Sequence, residues 1–227
     1  MIGALARPAT ARLGRPRPLL VVGGWAALAL GFALAARSTG ASHGADRALA
    51  DAFGALVLPL VAYSIVGAAL AGRSLTGGAA AVVAFGARPS RAAWVLVAVS
   101  VGACCTVSAP LAAAVAALAH GASDPPLVND AAASAYVGLL GGAAYASWFS
   151  MGATLGRRGG GRTALLLLDW LLGAGHSVPA LFVPRAHLRS LLGGAGPMSW
   201  SGGASAAALV TITVVCAFVA VSRSRRP

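Results

Sequence analysis

Residues 92–119 read AAWVLVAVSVGACCTVSAPLAAAVAALA, a run of 28 without one Asp, Glu, His, Lys or Arg. A bilayer's hydrocarbon core, about 30 Å thick, takes about 20 apolar residues as helix, so this stretch is long enough to cross it. Runs of that kind recur on either side, at Leu19–Ala36, Ala52–Ala71, Ala131–Leu155, Thr163–Val183 and Ala204–Val221. The alternative, helices buried in a large soluble protein, fails because the intervening stretches are short and poor in charge. The whole chain supports this reading. Of its 227 residues 58% are hydrophobic and 10% charged, whereas a soluble domain carries about 25% charged residues. The expected fold is all-α: one polytopic transmembrane domain over residues 1–227, with six spanning helices.

The charge is one-sided, with 17 basic and 5 acidic residues for a net +12. Every basic residue is Arg and every acidic one is Asp; Lys, Glu and Gln are absent. Arg7, Arg12, Arg15 and Arg17 precede the first run, Arg73, Arg88 and Arg91 follow the second, Arg157, Arg158 and Arg162 follow the fourth, and Arg223, Arg225 and Arg226 end the chain. Those 13 of the 17 fall on one side of the expected layout. Arg37, Arg47, Arg185 and Arg189 fall on the other, beside Asp46, Asp51, Asp124 and Asp130. Excess Arg stays cytoplasmic, so both termini are expected inside. Residues 72–91 then form a cytoplasmic connection and residues 184–203 an extracytoplasmic one. Four Arg before an apolar stretch ending Ala33-Leu34-Ala35 resemble a secretory leader, but the stretch exceeds a usual signal core, so the span is expected to be retained.

This alphabet excludes whole chemistries. A Walker A loop needs its Lys and a HExxH zinc protease its Glu, so no nucleotide-hydrolysing machinery is expected on this chain. No GxSxG elbow is present, and Ser199–Ser201 have no evident base. Cys104, Cys105 and Cys216 form no CxxC and read as buried thiols acting as small hydrophobes. His43, His120, His176 and His187 show no ligand spacing, so no metal site is expected. No Arg run is interleaved with aromatics to stack bases, so no nucleic acid partner is expected.

Inside the runs, Gly138, Gly142, Ala146, Ser150 and Thr154 recur at every fourth position, a small-residue stripe for close helix packing. Pro59 and Pro110 permit kinks, and Trp94 and Tyr136 suit the membrane interfaces. Asp169 and His176 are the intramembrane polar pair, seven residues apart on one face of the fifth run and about 10 Å apart along a helix axis. An acid in lipid is costly and faces protein or water. The favoured reading is an ion pair of Asp169 with Arg157, Arg158 or Arg162; a proton or cation path through Asp169 and His176 is the alternative.

Six spans with no soluble domain and no ATP site describe a permease that borrows its energy. The connection Val83-Ala84-Phe85-Gly86-Ala87-Arg88-Pro89-Ser90-Arg91 is similar to the stretch that leads into the third span of ABC-2 type transporter permeases. The outer segment Pro184-Arg185-Ala186-His187-Leu188-Arg189-Ser190-Leu191-Leu192 resembles the short or re-entrant helices that such permeases carry between spans five and six. Its Leu188, Leu191 and Leu192 share one face and Arg185 and Arg189 another. The segment Arg73-Ser74-Leu75-Thr76-Gly77-Gly78 lacks the acid usual in that family. The resemblance implies a short coupling helix docked on a separate ATP-binding subunit that carries ATP and Mg, with contacts among Arg88, Pro89, Ser90 and Arg91. It also implies a second permease subunit, identical or not, and a multi-pass location in a bacterial cytoplasmic membrane. Export of an apolar or amphipathic substrate is the expected direction. Orientation alone is the competing account of Arg88 and Arg91. The competing functions are a non-transporting membrane assembly or anchoring protein and a proton-coupled carrier using Asp169 and His176.

Overall fold

A computed structural model describes residues 2–38, 48–121, 125–156 and 158–224. These residues are all-helical, with no strand among them. Of the residues singled out above, His43, Asp46, Arg47, Asp124, Arg157, Arg225 and Arg226 lie outside the described residues.

Four helices are both long and apolar enough to cross a membrane: α2 (Pro16–Ser38), α3 (Ala48–Ala69), α5 (Pro89–Ala119) and α9 (Gly202–Arg223). Each contains one of the apolar runs and extends it by a few residues, except that α3 stops at Ala69. Helix α1 (Ile2–Leu13) precedes them. Helix α3 opens with a π-helical stretch, Ala48–Val57, and becomes α-helical at Leu58. Pro59 stands at that change, where its missing N–H removes one donor. Pro110 lies within α5, which continues through it. Helix α6 (Leu127–Gly152) has 26 residues, about 39 Å at 1.5 Å per residue, but its Gly, Ser and Tyr content lowers its hydropathy.

The expectation of a continuous helix over Thr163–Val183 needs correction. Helix α7 spans Gly161–Leu172, 12 residues, or about 18 Å, well short of the hydrocarbon thickness. Gly173, Ala174 and Gly175 follow it, and Pro179 and Pro184 then open a 3₁₀ turn (Val178–Phe182) and the eight-residue helix α8 (Pro184–Leu191). Glycine weakens a helix and proline stops one, and here these breakers outweigh the apolar composition.

Helices α5 and α6 make the most extensive contact in the molecule. A Cβ on Gly138 would lie 2.5 Å from the Ser108 carbonyl oxygen and 2.8 Å from the Ala112 Cβ. A Cβ on Gly142 would strike Ser108 Oγ. That hydroxyl sits 2.7 Å from both the Cys104 and Gly138 carbonyl oxygens, its one proton serving the pair. Ala146 and Ser150 continue the buried stripe, and Ser150 Oγ donates to the Ala146 carbonyl at 2.7 Å. On another face of α6, a Cβ on Gly141 would meet Leu58 of α3 and Leu188 of α8, at 2.6 and 2.8 Å. Gly141 is near the middle of α6, so α8 folds back to mid-height of the bundle and is not a peripheral loop. Pro184, Ala186, His187 and Leu188 are buried there.

Candidate functional site

Two regions concentrate the polar chemistry. At one end of the bundle, the connection between α3 and α5 carries helix α4 (Leu75–Ala84). Ala71 and Gly72 turn the chain with φ of +54° and +69°, and Ser74 Oγ accepts from Gly77 N at 3.2 Å to cap α4. The Leu75 amide donates to the Ala153 carbonyl at 3.1 Å, and a Cβ on Gly159 would lie 3.0 Å from the Arg73 carbonyl oxygen. The connection after the second run and the one after the fourth therefore lie against each other. Arg12 joins them, donating Nη1 to the Ala69 carbonyl at 3.0 Å. Three of the four Arg-rich segments thus share one end of the molecule.

Past α4 the chain turns through Gly86, at φ +86°, and leaves Phe85 94% exposed, the most exposed large hydrophobic residue among those described. Arg88 occupies the N-cap position of α5 with extended backbone, and Pro89 starts the helix. Arg88 and Arg91 are exposed, Pro89 is exposed and Ser90 half-buried. Arg88, Pro89, Ser90 and Arg91 therefore sit together beside the Phe85 knob, at the start of α5 rather than on α4.

The second region surrounds Asp169, which is fully buried on α7. Tyr145 of α6 donates its hydroxyl to Asp169 Oδ2 at 2.7 Å, and the Arg185 backbone amide donates to Oδ1 at 3.1 Å. Among the described residues, neither Arg158 nor Arg162 makes the expected ion pair with Asp169, whose partners are this hydroxyl and this amide; Arg157 lies outside the described residues. Arg162 is buried at the opposite end of α7, where its Nε donates to the Gly159 carbonyl at 3.3 Å and its guanidinium lies 5.7 Å from the Tyr63 ring centroid. Arg158 is exposed. Tyr63 also meets Thr163 Oγ1 at 2.9 Å and packs edge-on to Phe149, which stacks on Tyr145. A column of half-buried Tyr63 on α3 and buried Phe149 and Tyr145 on α6 thus runs between Arg162 and Asp169.

His176 is not on the face of α7 that carries Asp169. The helix has ended, and His176 is exposed in the following turn with Arg189 Nη2 3.3 Å from its Nε2. Arg189 also donates to Ala174 O at 2.6 Å and to Ala195 O at 2.9 and 3.1 Å. Arg185 donates Nη1 to Trp170 O at 3.2 Å. These two guanidiniums fasten the chain before and after α8 by satisfying carbonyls that a broken helix leaves free. Beneath them, His187 is buried with Nε2 2.9 Å from Leu181 O.

Sequence reasoning missed Tyr145, Arg185 and Tyr63 as members of these groups. The one available signal was chemical: a buried acid needs donors, and Tyr145 is a hydroxyl within the neighbouring apolar run. Among the described residues no three His, Cys or acidic side chains gather to hold a metal. Cys104 and Cys216 are buried and all three thiols are free. No family model matches the chain, and no curated protein and no solved structure matches it. The described residues are all-helical, and the four helices long and apolar enough to cross a membrane suggest a membrane protein.

Proposed function

We propose that this chain is the permease subunit of an ABC-2 type transporter, an exporter of the bacterial cytoplasmic membrane energised by a separate ATP-binding subunit. In this reading α6 is a further spanning helix. Helix α7 with the folded-back segment through α8 makes the remaining crossing, which keeps six crossings and both termini cytoplasmic. Two permease subunits, alike or different, enclose one route.

The observation that supports the reading best is the Phe85 knob, projecting from the end of α4 beside two exposed arginines. Burying a Phe side chain stabilises by about 1.5–3 kcal/mol, so an exposed Phe85 beside Arg88 and Arg91 suits a protein cleft with an acidic rim. The knob is also mechanically connected. Helix α4 is joined to α3 and α5 by short turns and to the end of α6 through the Leu75–Ala153 hydrogen bond. A push on α4 from a closing ATPase dimer reaches three long helices at once and biases the bundle between two packings. ATP and Mg bind on the partner subunit in this scheme, and this chain supplies the lever.

Photocrosslinking tests it. A photoreactive residue at position 85 should attach an ATP-binding subunit co-expressed from the same gene neighbourhood, and one at position 182 should not. Crosslinking from 182 alone, or from neither position, would contradict the reading. The end of α7 at Leu172, before His176, favours this reading over a proton-coupled carrier using Asp169 and His176 together.

A further inference from the structure

A recess of about 480 Å³ lies where the α1–α2 corner meets the end of α3, lined by Arg12, Arg15, Arg17, Gly67, Ala68 and Gly72 among others. We infer that this recess recognises phosphate, in the form of an anionic phospholipid headgroup. Three guanidiniums share its walls, and guanidinium is the side-chain group best matched to a phosphate's oxygens. Among the described residues, Arg12 alone of the three has a protein anchor for its guanidinium, the Ala69 carbonyl.

Counter-charge from the described protein is lacking there. Asp51 lies near the opposite end of α3, roughly 27 Å from Ala69 at helical rise. Asp130 is 3.8 Å from His120 Nδ1, and Asp169 is held by Tyr145 and the Arg185 amide. Three like charges around one recess repel each other, so an external anion is favoured.

The surroundings favour a lipid over a free ion. Immediately beyond Arg17, the α2 residues Leu19, Leu20 and Val21 are 58%, 75% and 48% exposed. They continue from the recess into an apolar outer face of α2. A headgroup phosphate among the arginines thus places its acyl chains along leucines that no protein side covers. Arginine-bearing segments at a membrane surface attract anionic lipid. The inference concerns the membrane face of this chain and is independent of any ATPase partner.

The test uses the purified full chain in detergent micelles and a fluorescent phosphatidylglycerol, read by energy transfer from tryptophan. The lipid should bind saturably and more tightly than a phosphatidylcholine with the same acyl chains. R15Q/R17Q should raise its apparent Kd at least about tenfold. Because that variant alters topogenic charge, A68F serves beside it: it fills the recess, keeps every arginine and should weaken binding to a similar degree. R223Q, at the far end of α9, should bind as wild type does. Inorganic phosphate should leave the lipid bound; displacement at equal concentration would make the ligand a free anion and overturn the lipid assignment. Wild-type affinity in both R15Q/R17Q and A68F, or equal affinity for the two lipids, would overturn the site.

Discussion

The Tyr145 hydroxyl reaches Asp169 Oδ2 at 2.7 Å and joins the middle of α6 to the last turns of α7. With the Arg185 amide on Oδ1, the carboxyl ties α6, α7 and the start of α8 into one polar node inside an apolar bundle. Tyr145→Phe should lower stability by about 1–3 kcal/mol, because it strands an oxygen of a fully buried carboxyl. Asp169→Asn should cost less than Asp169→Ala, since an amide oxygen still accepts from one donor. Thermal unfolding followed by size-exclusion in detergent would rank the three. An Ala variant as stable as wild type would show that the node does not hold the helices.

The α5–α6 contact gives a sharper packing test. Gly138→Ala places a methyl 2.5 Å from a backbone carbonyl oxygen, which cannot rotate away. A cost of about 1–3 kcal/mol is expected. Gly102→Ala on α5 meets nothing within 4 Å and should be neutral or stabilising by up to about 1 kcal/mol from helix propensity. The same unfolding assay reads both, and equal effects would contradict the close approach of the two helices.

Arg189 links the Ala174 and Ala195 carbonyls on either side of α8, so Arg189→Gln should loosen residues 173–196 without unfolding the bundle. Leaving such carbonyls unpaired costs about 1–3 kcal/mol locally. Hydrogen exchange should show faster amide exchange in that segment and unchanged exchange in α5. Uniform acceleration would mean that α8 is part of the global core.

Much of the fold was legible because uninterrupted apolar runs leave a chain few alternatives. The run at 92–119 gives α5, and the stripe beginning at Gly138 and Gly142 faces α5 as its spacing suggests. The fifth run was misleading because average hydropathy hides Gly173, Gly175 and Pro179, whose effect on the backbone is local. The partners of Asp169 were hidden for another reason. Counting charges points to the nearest arginines, but the donors are a hydroxyl 24 residues earlier and a main-chain amide 16 residues later. Neither carries a charge to count. The α4 knob was half visible: the connection and its arginines stand out in the sequence, whereas the exposure of Phe85 depends on the turn at Gly86.

The most direct test of the permease reading is co-purification. Tagged wild type and F85A/R88A/R91A would be extracted from native membranes at equal, monodisperse yield, and the polypeptides recovered with each identified. Wild type should bring down a stoichiometric subunit carrying a GxxxxGK[ST] loop, and the triple variant should lose it at least tenfold while unfolding at the same temperature. Absence of any such subunit from the wild type, or its equal recovery with the variant, would contradict the account.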